Sequence, residues 1–354
     1  YPDFVDQIIN DGKCDMVGMG RGILAEREWV KKCAEGREDE LRYCISCMNC
    51  FNVNPFSYEQ TNCSVNPFAL REGSKRPIVQ DGDGRLVAVI GAGPAGMEAA
   101  VTLKQRGFDV VVFDKRDEIG GNLHVAKKPP FKGKFEWAID YYKSMAKKLN
   151  ITMKLGKEVT AQEVLALKPY SILVATGSNV ISIPLEGLDQ VQTVQAHDVL
   201  ANDMQFANKK VVVIGGGITG LETALYINRQ GTNQVSVVDM LPEWPVDMLD
   251  MRYQNEALLE VRHCNDQGVA LFYNNKVVKF ADGKLFIEST KDGEVKELPA
   301  DVIVLSVGVK PNDALWQELL ASGHPSVWKA GDAIATGKIN KAVLHGSKFG
   351  YSLN

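Results

Sequence analysis

The chain has 354 residues, of which 45% are hydrophobic and 24% charged, a composition typical of a soluble globular protein large enough for more than one domain. The net charge of −4 and the pI of about 5.9 indicate no broad basic surface, which argues against a nucleic-acid-binding or membrane-surface protein. No apolar run approaches the roughly 20 residues of a transmembrane helix.

The first segment, residues 1–43, is predicted to contain a helix at Pro2–Asn10, a short buried strand at Cys14–Met19 and a second helix at Glu26–Arg37. A single strand between two helices cannot bury both faces of a sheet. We therefore expect this segment to be the end of a larger domain whose other strands are supplied from outside the chain.

The second segment, residues 44–84, holds four of the seven cysteines: Cys44, Cys47, Cys50 and Cys63. Three thiolates close together on one loop, with a fourth from a distance, can occupy the corners of an iron–sulfur cubane. Structural zinc prefers two separated cysteine pairs, and four exposed thiols without a metal would be prone to oxidation. The spacing therefore favours a [4Fe–4S] cluster over zinc or an empty loop, and a cytoplasmic, reducing location.

From Leu86 onward the pattern becomes that of an α/β protein. Apolar runs predict strands at Leu86–Ile90, Val110–Phe113, Ser171–Val174, Lys210–Ile214, Val235–Val238 and Val302–Val307. A meander of short strands is expected at Leu271–Tyr273, Lys276–Phe280 and Leu285–Ser289. Two βαβ units predict two Rossmann-like domains, residues 85–206 with 313–354 and residues 207–312, the second inserted into the first.

The first βαβ unit carries a dinucleotide fingerprint. Its residues are Gly91, Gly93, Gly96 and Asp114. The glycines follow a strand and open a helix, and the acid ends the next strand, which makes the pattern far more specific than glycine spacing alone. The first glycine permits the tight turn, the second lets the backbone approach a pyrophosphate, and the third lets helix and strand pack closely. A tight turn without a ligand is the weaker interpretation.

The second βαβ unit repeats this fingerprint. Its residues are Gly215, Gly217, Gly220 and Asp239. The carboxylate of Asp239 would repel the 2′-phosphate of NADP(H), and the following Met240 and Leu241 supply no arginine, so NAD(H) is favoured. Arg229 is close in sequence and leaves NADP(H) open, and a decayed, empty site is a further alternative.

Other polar or cysteine-containing features receive simpler interpretations. Four lysines, Lys127, Lys128, Lys132 and Lys134, are expected to form a solvated basic surface. Three isolated cysteines, Cys14, Cys33 and Cys264, are expected to be small buried or half-buried thiols. Thr160 and Glu163 predict a capping box at a helix start.

Taken together, these motifs resemble the C-terminal portion of the old-yellow-enzyme-like iron–sulfur flavoproteins, which include 2,4-dienoyl-CoA, 2-enoate, bile-acid and cinnamate reductases and trimethylamine dehydrogenase. The resemblance extends over essentially the whole chain. It implies the remnant of the last β/α unit of a TIM barrel, an iron–sulfur loop, and two disulfide-reductase-type domains for FAD and NAD(P)H. Residues 17–21 are similar to the last barrel strand, where Gly20 and Arg21 would contact FMN phosphate in the full-length protein.

The resemblance also implies which residues serve each cofactor. FAD would be bound by Gly91, Gly93, Gly96, Asp114, Gly121, Thr176, Gly331 and Asp332. NADH would be bound by Gly215, Gly217, Gly220, Asp239 and Gly308. In this family electrons pass from NADH to FAD, through the cluster, and then to FMN. Because nearly all of the barrel and its catalytic acid are absent, no residue of this chain is expected to perform the substrate chemistry.

Three functional hypotheses follow. The first is the electron-delivery part of an ene-reductase whose small-molecule substrate, an enoate or enoyl-CoA, binds to an N-terminal FMN barrel; a homo-oligomer is possible. The second is an amine dehydrogenase-like chain, in which electrons leave the cluster for an external carrier and the FAD-type site holds a structural nucleotide. The third is a redox-inert nucleotide-binding scaffold, against which the four clustered cysteines argue.

Overall fold

The computed structural model describes residues 2–51, 61–74, 77–242 and 254–354. The α-helices are α1 (Pro2–Asn10), α2 (Arg21–Ala25), α3 (Trp29–Ala34), α4 (Pro94–Gln105), α5 (Leu123–Ala126), α6 (Glu136–Lys148), α7 (Ala161–Ala166), α8 (Ala196–Ala201), α9 (Ile218–Asn228), α10 (Gln254–Asp266), α11 (Ala314–Ala321) and α12 (Ile339–Ser352). None of these described helices has both the length and the apolarity needed to cross a membrane.

The β-strands are β1 (Leu86–Ile90), β2 (Asp109–Phe113), β3 (Thr152–Lys154), β4 (Ser171–Val174), β5 (Ser178–Val180), β6 (Gln192–Gln195), β7 (Lys210–Ile214), β8 (Gln234–Val238), β9 (Ala270–Phe272), β10 (Asn275–Ala281), β11 (Lys284–Ser289), β12 (Val295–Pro299), β13 (Val302–Leu305), β14 (Val309–Pro311) and β15 (Val327–Lys329). The alternation of strands and helices confirms the α/β fold predicted from the sequence.

The first large sheet is parallel and has the order β15-β4-β1-β2-β3. The central strand β1 is buried on both faces, which explains its continuous apolar run. Val87 and Val89 pack with α4 and α12 on one face, whereas Ala88 and Ile90 pack against Leu319 of α11 on the other. This sheet takes its last strand, β15, from the end of the chain.

The second large sheet repeats this architecture, with the order β6-β13-β7-β8-β9 and parallel pairing throughout. Val211 and Val213 face the cluster that includes α9, whereas Val212 and Ile214 face a three-stranded antiparallel sheet, β10-β11-β12. Leu285 of that sheet is completely buried against them. Both sheets therefore place the carboxyl end of a central strand next to a glycine motif.

The meander predicted around residues 271–289 is only partly correct. The strand expected at Leu271–Tyr273 forms as β9, but it extends the parallel sheet beside β8. The antiparallel sheet instead recruits β12, which the sequence analysis missed. The residues of β12 alternate weakly in polarity and are mostly exposed, so the usual period-2 signal of a strand is absent.

The segment before the cysteines departs most from expectation. The strand predicted at Cys14–Met19 does not form, and Met16 is 82% exposed. A lone apolar run has no ladder partner among the described residues, so its backbone gains nothing from strand pairing. The helix expected at Glu26–Arg37 is limited to α3, whereas Pro2–Asn10 is confirmed as α1.

The lysine-rich loop, residues 127–134, is not simply a solvated surface, as the sequence analysis assumed. Lys132 forms an ion pair with Glu222 of α9. The guanidinium of Arg229 lies over the ring of Phe131 in the same loop, 4.5 Å from the ring centroid. Through Lys132 and Phe131 the loop therefore connects the part of the chain around the first sheet to helix α9 and Arg229 of the second.

Candidate functional site

The first glycine turn has no room for side chains at two of its three glycines. Gly91 has a φ of +114°, and a Cβ there would lie 2.2 Å from the carbonyl oxygen of Ala175. A Cβ on Gly96 would lie 1.9 Å from the carbonyl oxygen of Gly91. Strand β1 and helix α4 can therefore approach this closely only with glycine at both positions.

Gly93 differs from its neighbours because the space beside it is open. Its backbone is extended, with φ −75° and ψ −180°, and the nearest atom to an added Cβ is the Cα of Gly121 at 3.9 Å. In the other direction, a Cβ on Gly121 would lie 2.8 Å from the Cα of Gly93. The backbone at Gly93 and the backbone at Gly121 thus form a cradle at the N-terminus of α4. Backbone N–H groups at a helix N-terminus are suited to bind a phosphate.

Asp114 stands at the end of β2, beside this cradle. Its carboxylate accepts hydrogen bonds from the backbone N–H of Ala92 at 2.6 Å and of Arg116 at 2.9 Å. These two contacts hold the carboxylate in one orientation and leave lone pairs for a ligand hydroxyl. No sequence motif marks Arg116, whose guanidinium donates to the carbonyl oxygen of Gly121 at 2.5 Å and so supports the turn at Gly121.

Two further segments reach the same cavity from β4 and from the chain after β15. Thr176 donates its hydroxyl to the carbonyl oxygen of Asn312 at 2.5 Å. Asp332, which follows Gly331 (φ +63°), accepts from the backbone N–H of Gly337 at 3.1 Å. Burial raises the pKa of the Asp332 carboxyl above its ordinary value, partly offset by the hydrogen bonds from Gly337 and Ser178.

The second glycine turn has nearly the same geometry as the first. Gly215 has a φ of +111° with no room for a side chain, and a Cβ on Gly220 would lie 1.9 Å from the carbonyl oxygen of Gly215. An added Cβ on Gly217 would meet nothing within 4 Å. Asp239 accepts from the backbone N–H of Gly216 at 2.6 Å and of Leu241 at 2.8 Å, which reproduces the contacts of the first acid.

Two residues named in the sequence, Met240 and Arg229, bear on the environment of the second acid. Met240 is 61% exposed beside Asp239. Arg229, which left the choice between NADH and NADPH open in the sequence, follows the last residue of the 11-residue helix α9. It lies about 18 Å along the helix axis from Gly217. Its guanidinium lies over the ring of Phe131. Arg229 is not among the residues that line the cavity at the glycine turn.

A cavity of about 1840 Å³ joins the two glycine turns. The candidate residues that line it are Gly91, Gly93, Asp114, Gly121, Thr176, Gly331, Asp332, Gly215, Gly217, Asp239, Gly308 and Cys47. Gly96 and Gly220 lie behind the turns and act through packing. The cavity therefore connects both nucleotide fingerprints with the edge of the cysteine loop.

The four clustered cysteines form no disulfide, and each is half-buried. Burial, followed by the proximity of Cys47 and Cys44, raises the pKa of the Cys50 thiol. Burial raises the pKa of Cys63 to about 11; the backbone N–H groups of Val65 and Asn66 lower it, and Cys47 and Cys44 raise it. Three of the four, Cys44, Cys47 and Cys63, pack against one small hydrophobic cluster that contains Ile45 and Val65.

The backbone between these cysteines is wound tightly. Ser46 and Met48 have φ values of 55° and 57°, which non-glycine residues seldom adopt. Within the described ranges, however, no group of three or more His, Cys, Asp or Glu side chains has the arrangement of a metal site. The donor set has the chemistry that a thiolate-bound cluster requires.

A buried ion pair fastens the cysteine loop to α4. Arg42 donates to both carboxylate oxygens of Glu98 at 2.8 and 2.9 Å and to the carbonyl oxygen of Val65 at 2.5 Å. Glu98 is 2% exposed and also accepts from the Tyr142 hydroxyl at 3.1 Å. No motif marks this pair in the sequence, although Glu98 within a mostly apolar helix is a signal that a buried partner exists.

The remaining candidates lie apart from the cavity. Arg21 donates to the Met48 sulfur at 3.0 Å, and Gly20, like Arg21, does not line the cavity. Cys14 and Cys33 are half-buried, as expected. Cys264 is buried, and burial raises the pKa of its thiol to about 12, with a further contribution from Glu260, so it is unreactive at neutral pH.

Two βαβ units with glycine turns around one cavity form the fold that flavin- and nicotinamide-dependent oxidoreductases use. A family model for pyridine nucleotide-disulphide oxidoreductases matches residues 85–344. The chain belongs to this family.

Relatives extend the similarity to the cysteine loop and the segment before it. An NADH oxidase of Thermoanaerobacter brockii is 34% identical over 361 residues, covering 99% of this chain and 54% of the relative. A bilirubin reductase of Mediterraneibacter gnavus is 33% identical, covering 88% and 47%. A solved 2-naphthoyl-CoA reductase complex aligns with a TM-score of 0.90 and 28% identity, covering 100% and 53%. The chain thus spans about half the length of these proteins, and the expected resemblance to a C-terminal portion is confirmed.

Proposed function

We propose that this chain is the electron-delivery part of an NADH-dependent iron–sulfur flavoprotein. The observation that carries the proposal is the cavity that joins both fingerprints to Cys47. When bound, the cofactors would supply hydride transfer from NADH to FAD and one-electron transfer through a [4Fe–4S] cluster to FMN. The chain's own residues bind these groups, orient them and separate them from water.

The first fingerprint is proposed to hold FAD. The cradle at Gly93 and Gly121 would receive the pyrophosphate, since a side chain at either position would occupy that space or strike the other turn. Asp114 would accept from the adenosine ribose, and Asp332 from the ribityl chain. The remaining members of the set, Gly91, Gly96, Thr176 and Gly331, shape the turns around the cofactor.

The second fingerprint is proposed to hold NADH. Gly217 leaves the phosphate path open, and Asp239, already oriented by two backbone N–H groups, would accept from the 2′-hydroxyl of the ribose. Gly308, with a φ of +100°, has no side chain and would leave space for the nicotinamide ring of NADH. Gly215 and Gly220 keep β7 and α9 close together.

The four cysteines are proposed to ligate the cluster: Cys44, Cys47, Cys50 and Cys63. The packing of Cys44, Cys47 and Cys63 around one hydrophobic cluster and the tightly wound backbone support this assignment, as does the partial burial of all four residues. Iron would compensate the concentrated negative charge.

The substrate step is proposed to take place outside this chain, on an FMN-bearing barrel to which Gly20 and Arg21 contribute a phosphate contact. Relatives named for the reduction of bilirubin and of 2-naphthoyl-CoA support a small conjugated substrate with an activated double bond, of the enoate or enoyl-CoA type. The domain boundaries 1–43, 44–84, 85–206 with 313–354, and 207–312 complete the proposal.

The isolated chain should reduce ferricyanide with NADH and prefer NADH to NADPH by roughly 10-fold or more, the scale of one charge-assisted contact. Replacing Asp239→Ala together with Met240→Arg should narrow or reverse this preference. The first change removes a repulsive carboxylate and the second adds a phosphate partner. Steady-state kcat/KM values for the two nucleotides measure the effect.

Met240→Arg alone is the control, because it keeps the carboxylate and should shift the preference less than the double variant. Equal use of NADH and NADPH by the unmodified chain would contradict the role given to Asp239. Failure of both nucleotides to drive ferricyanide reduction in the FAD-loaded chain would favour the amine dehydrogenase-like alternative.

A further inference from the structure

A serine hydroxyl lies against one of the clustered cysteines. The Sγ of Cys47 and the Oγ of Ser64 are 3.2 Å apart, within hydrogen-bond distance for sulfur. Ser64 is only 3% exposed, so water does not compete effectively for its hydroxyl. As a thiol, Cys47 donates its proton to Ser64; as a metal-bound thiolate it carries no proton, and the hydroxyl becomes the donor.

The surrounding residues hold this serine in place. Arg42 binds the carbonyl oxygen of the next residue, Val65, and pairs with Glu98 of α4. The guanidinium is also 4.3 Å from the ring centroid of Tyr141. Because Arg42 precedes the first cysteine by two residues and Val65 follows the last by two, these contacts fix both ends of the loop. The Ser64 hydroxyl is therefore pre-positioned toward Cys47.

We infer that Ser64 is a positioning residue that makes the cluster easier to reduce, by donating a hydrogen bond to the Cys47 sulfur. This inference rests on the proposed ligation by Cys47. Adding an electron increases the negative charge on the ligand sulfurs, so a donor to sulfur stabilises the reduced state more than the oxidised state. Both residues line the cavity that reaches the first fingerprint, so the contact lies on the side from which electrons would arrive.

The test is a redox titration of Ser64→Ala in the purified, cluster-loaded chain, followed by electron paramagnetic resonance. The midpoint potential should fall, so that the ratio of reduced to oxidised cluster at a fixed potential decreases by about tenfold, the scale of one hydrogen bond to a charged group. Ser46→Ala is the matched control. Its hydroxyl belongs to the same loop but lies beside Lys134 Nζ, at 3.4 Å, so the potential should stay at the wild-type value.

A Ser64→Ala cluster with the wild-type potential would overturn the inference while leaving the proposed ligation intact, whereas a wild-type chain without any iron–sulfur cluster would overturn the proposed function itself. If Ser64→Ala fails to assemble a cluster, the midpoint potential of Ser64→Thr is measured instead, because threonine keeps the hydroxyl. A cluster of wild-type potential in Ser64→Thr supports the inference, and a lowered potential or a missing cluster refutes it.

Discussion

Gly93→Val should yield a folded chain that has lost nearly all of its FAD. The backbone at this position is extended and the nearest protein atom to an added Cβ lies 3.9 Å away, so the protein itself tolerates the side chain. The branched group would instead occupy the path of the pyrophosphate at the N-terminus of α4. Flavin absorbance per chain after gel filtration measures the loss, and circular dichroism verifies the fold.

Gly217→Val is the matched control, because the same side chain enters the equivalent position of the second turn, where nothing lies within 4 Å. It should keep a full equivalent of FAD and lose NADH binding. Gly96→Ala is a contrasting variant, since its Cβ would lie 1.9 Å from a backbone oxygen and should impair folding. Retention of stoichiometric FAD by Gly93→Val would show that the two sites are wrongly assigned.

Cys47→Ser should abolish the iron–sulfur cluster while leaving FAD bound. The wild-type chain, purified anaerobically, should contain about four irons and four sulfides, whereas the variant lacks one of the four thiolates. The flavin should remain, because Cys47 only borders the cavity and the βαβ core around β1 does not depend on it. Iron and sulfide analysis beside flavin absorbance measures both outcomes.

Cys264→Ser is the control for this experiment, because Cys264 lies in the core around α9, where burial raises the pKa of its thiol to about 12. It should keep its iron. A wild-type chain that holds one zinc and has no visible iron–sulfur absorption would contradict the assignment of the four cysteines.

The features predicted well from the sequence are those with local causes. Gly91 and Gly215 need left-handed backbone where a strand turns into a helix, and that requirement selects glycine. The strand-ending acids Asp114 and Asp239 each brace their own glycine turn through backbone N–H groups. The capping box of Thr160 and Glu163 also forms as predicted. A few residues that are close together in the sequence are sufficient to predict each of these features.

The features that were missed depend on residues far apart in the chain. Arg42 and Glu98 form a buried pair across 56 residues, and Ser64 meets Cys47 across 17. No periodicity marks such contacts, since each partner occupies an ordinary position in its own segment. The predicted strand at Cys14–Met19 failed for a related reason: its apolar run is a local signal, whereas strand pairing needs a partner.

The most direct test of the account is anaerobic rapid mixing of the FAD- and cluster-loaded chain with NADH. We expect flavin absorbance to fall as hydride arrives and the signal of the reduced cluster to appear afterwards. In Gly217→Val, NADH should cause neither change, although dithionite should still reduce the flavin. A wild-type flavin that stays oxidised with NADH but is reduced by dithionite would contradict the central claim that this chain receives electrons from NADH.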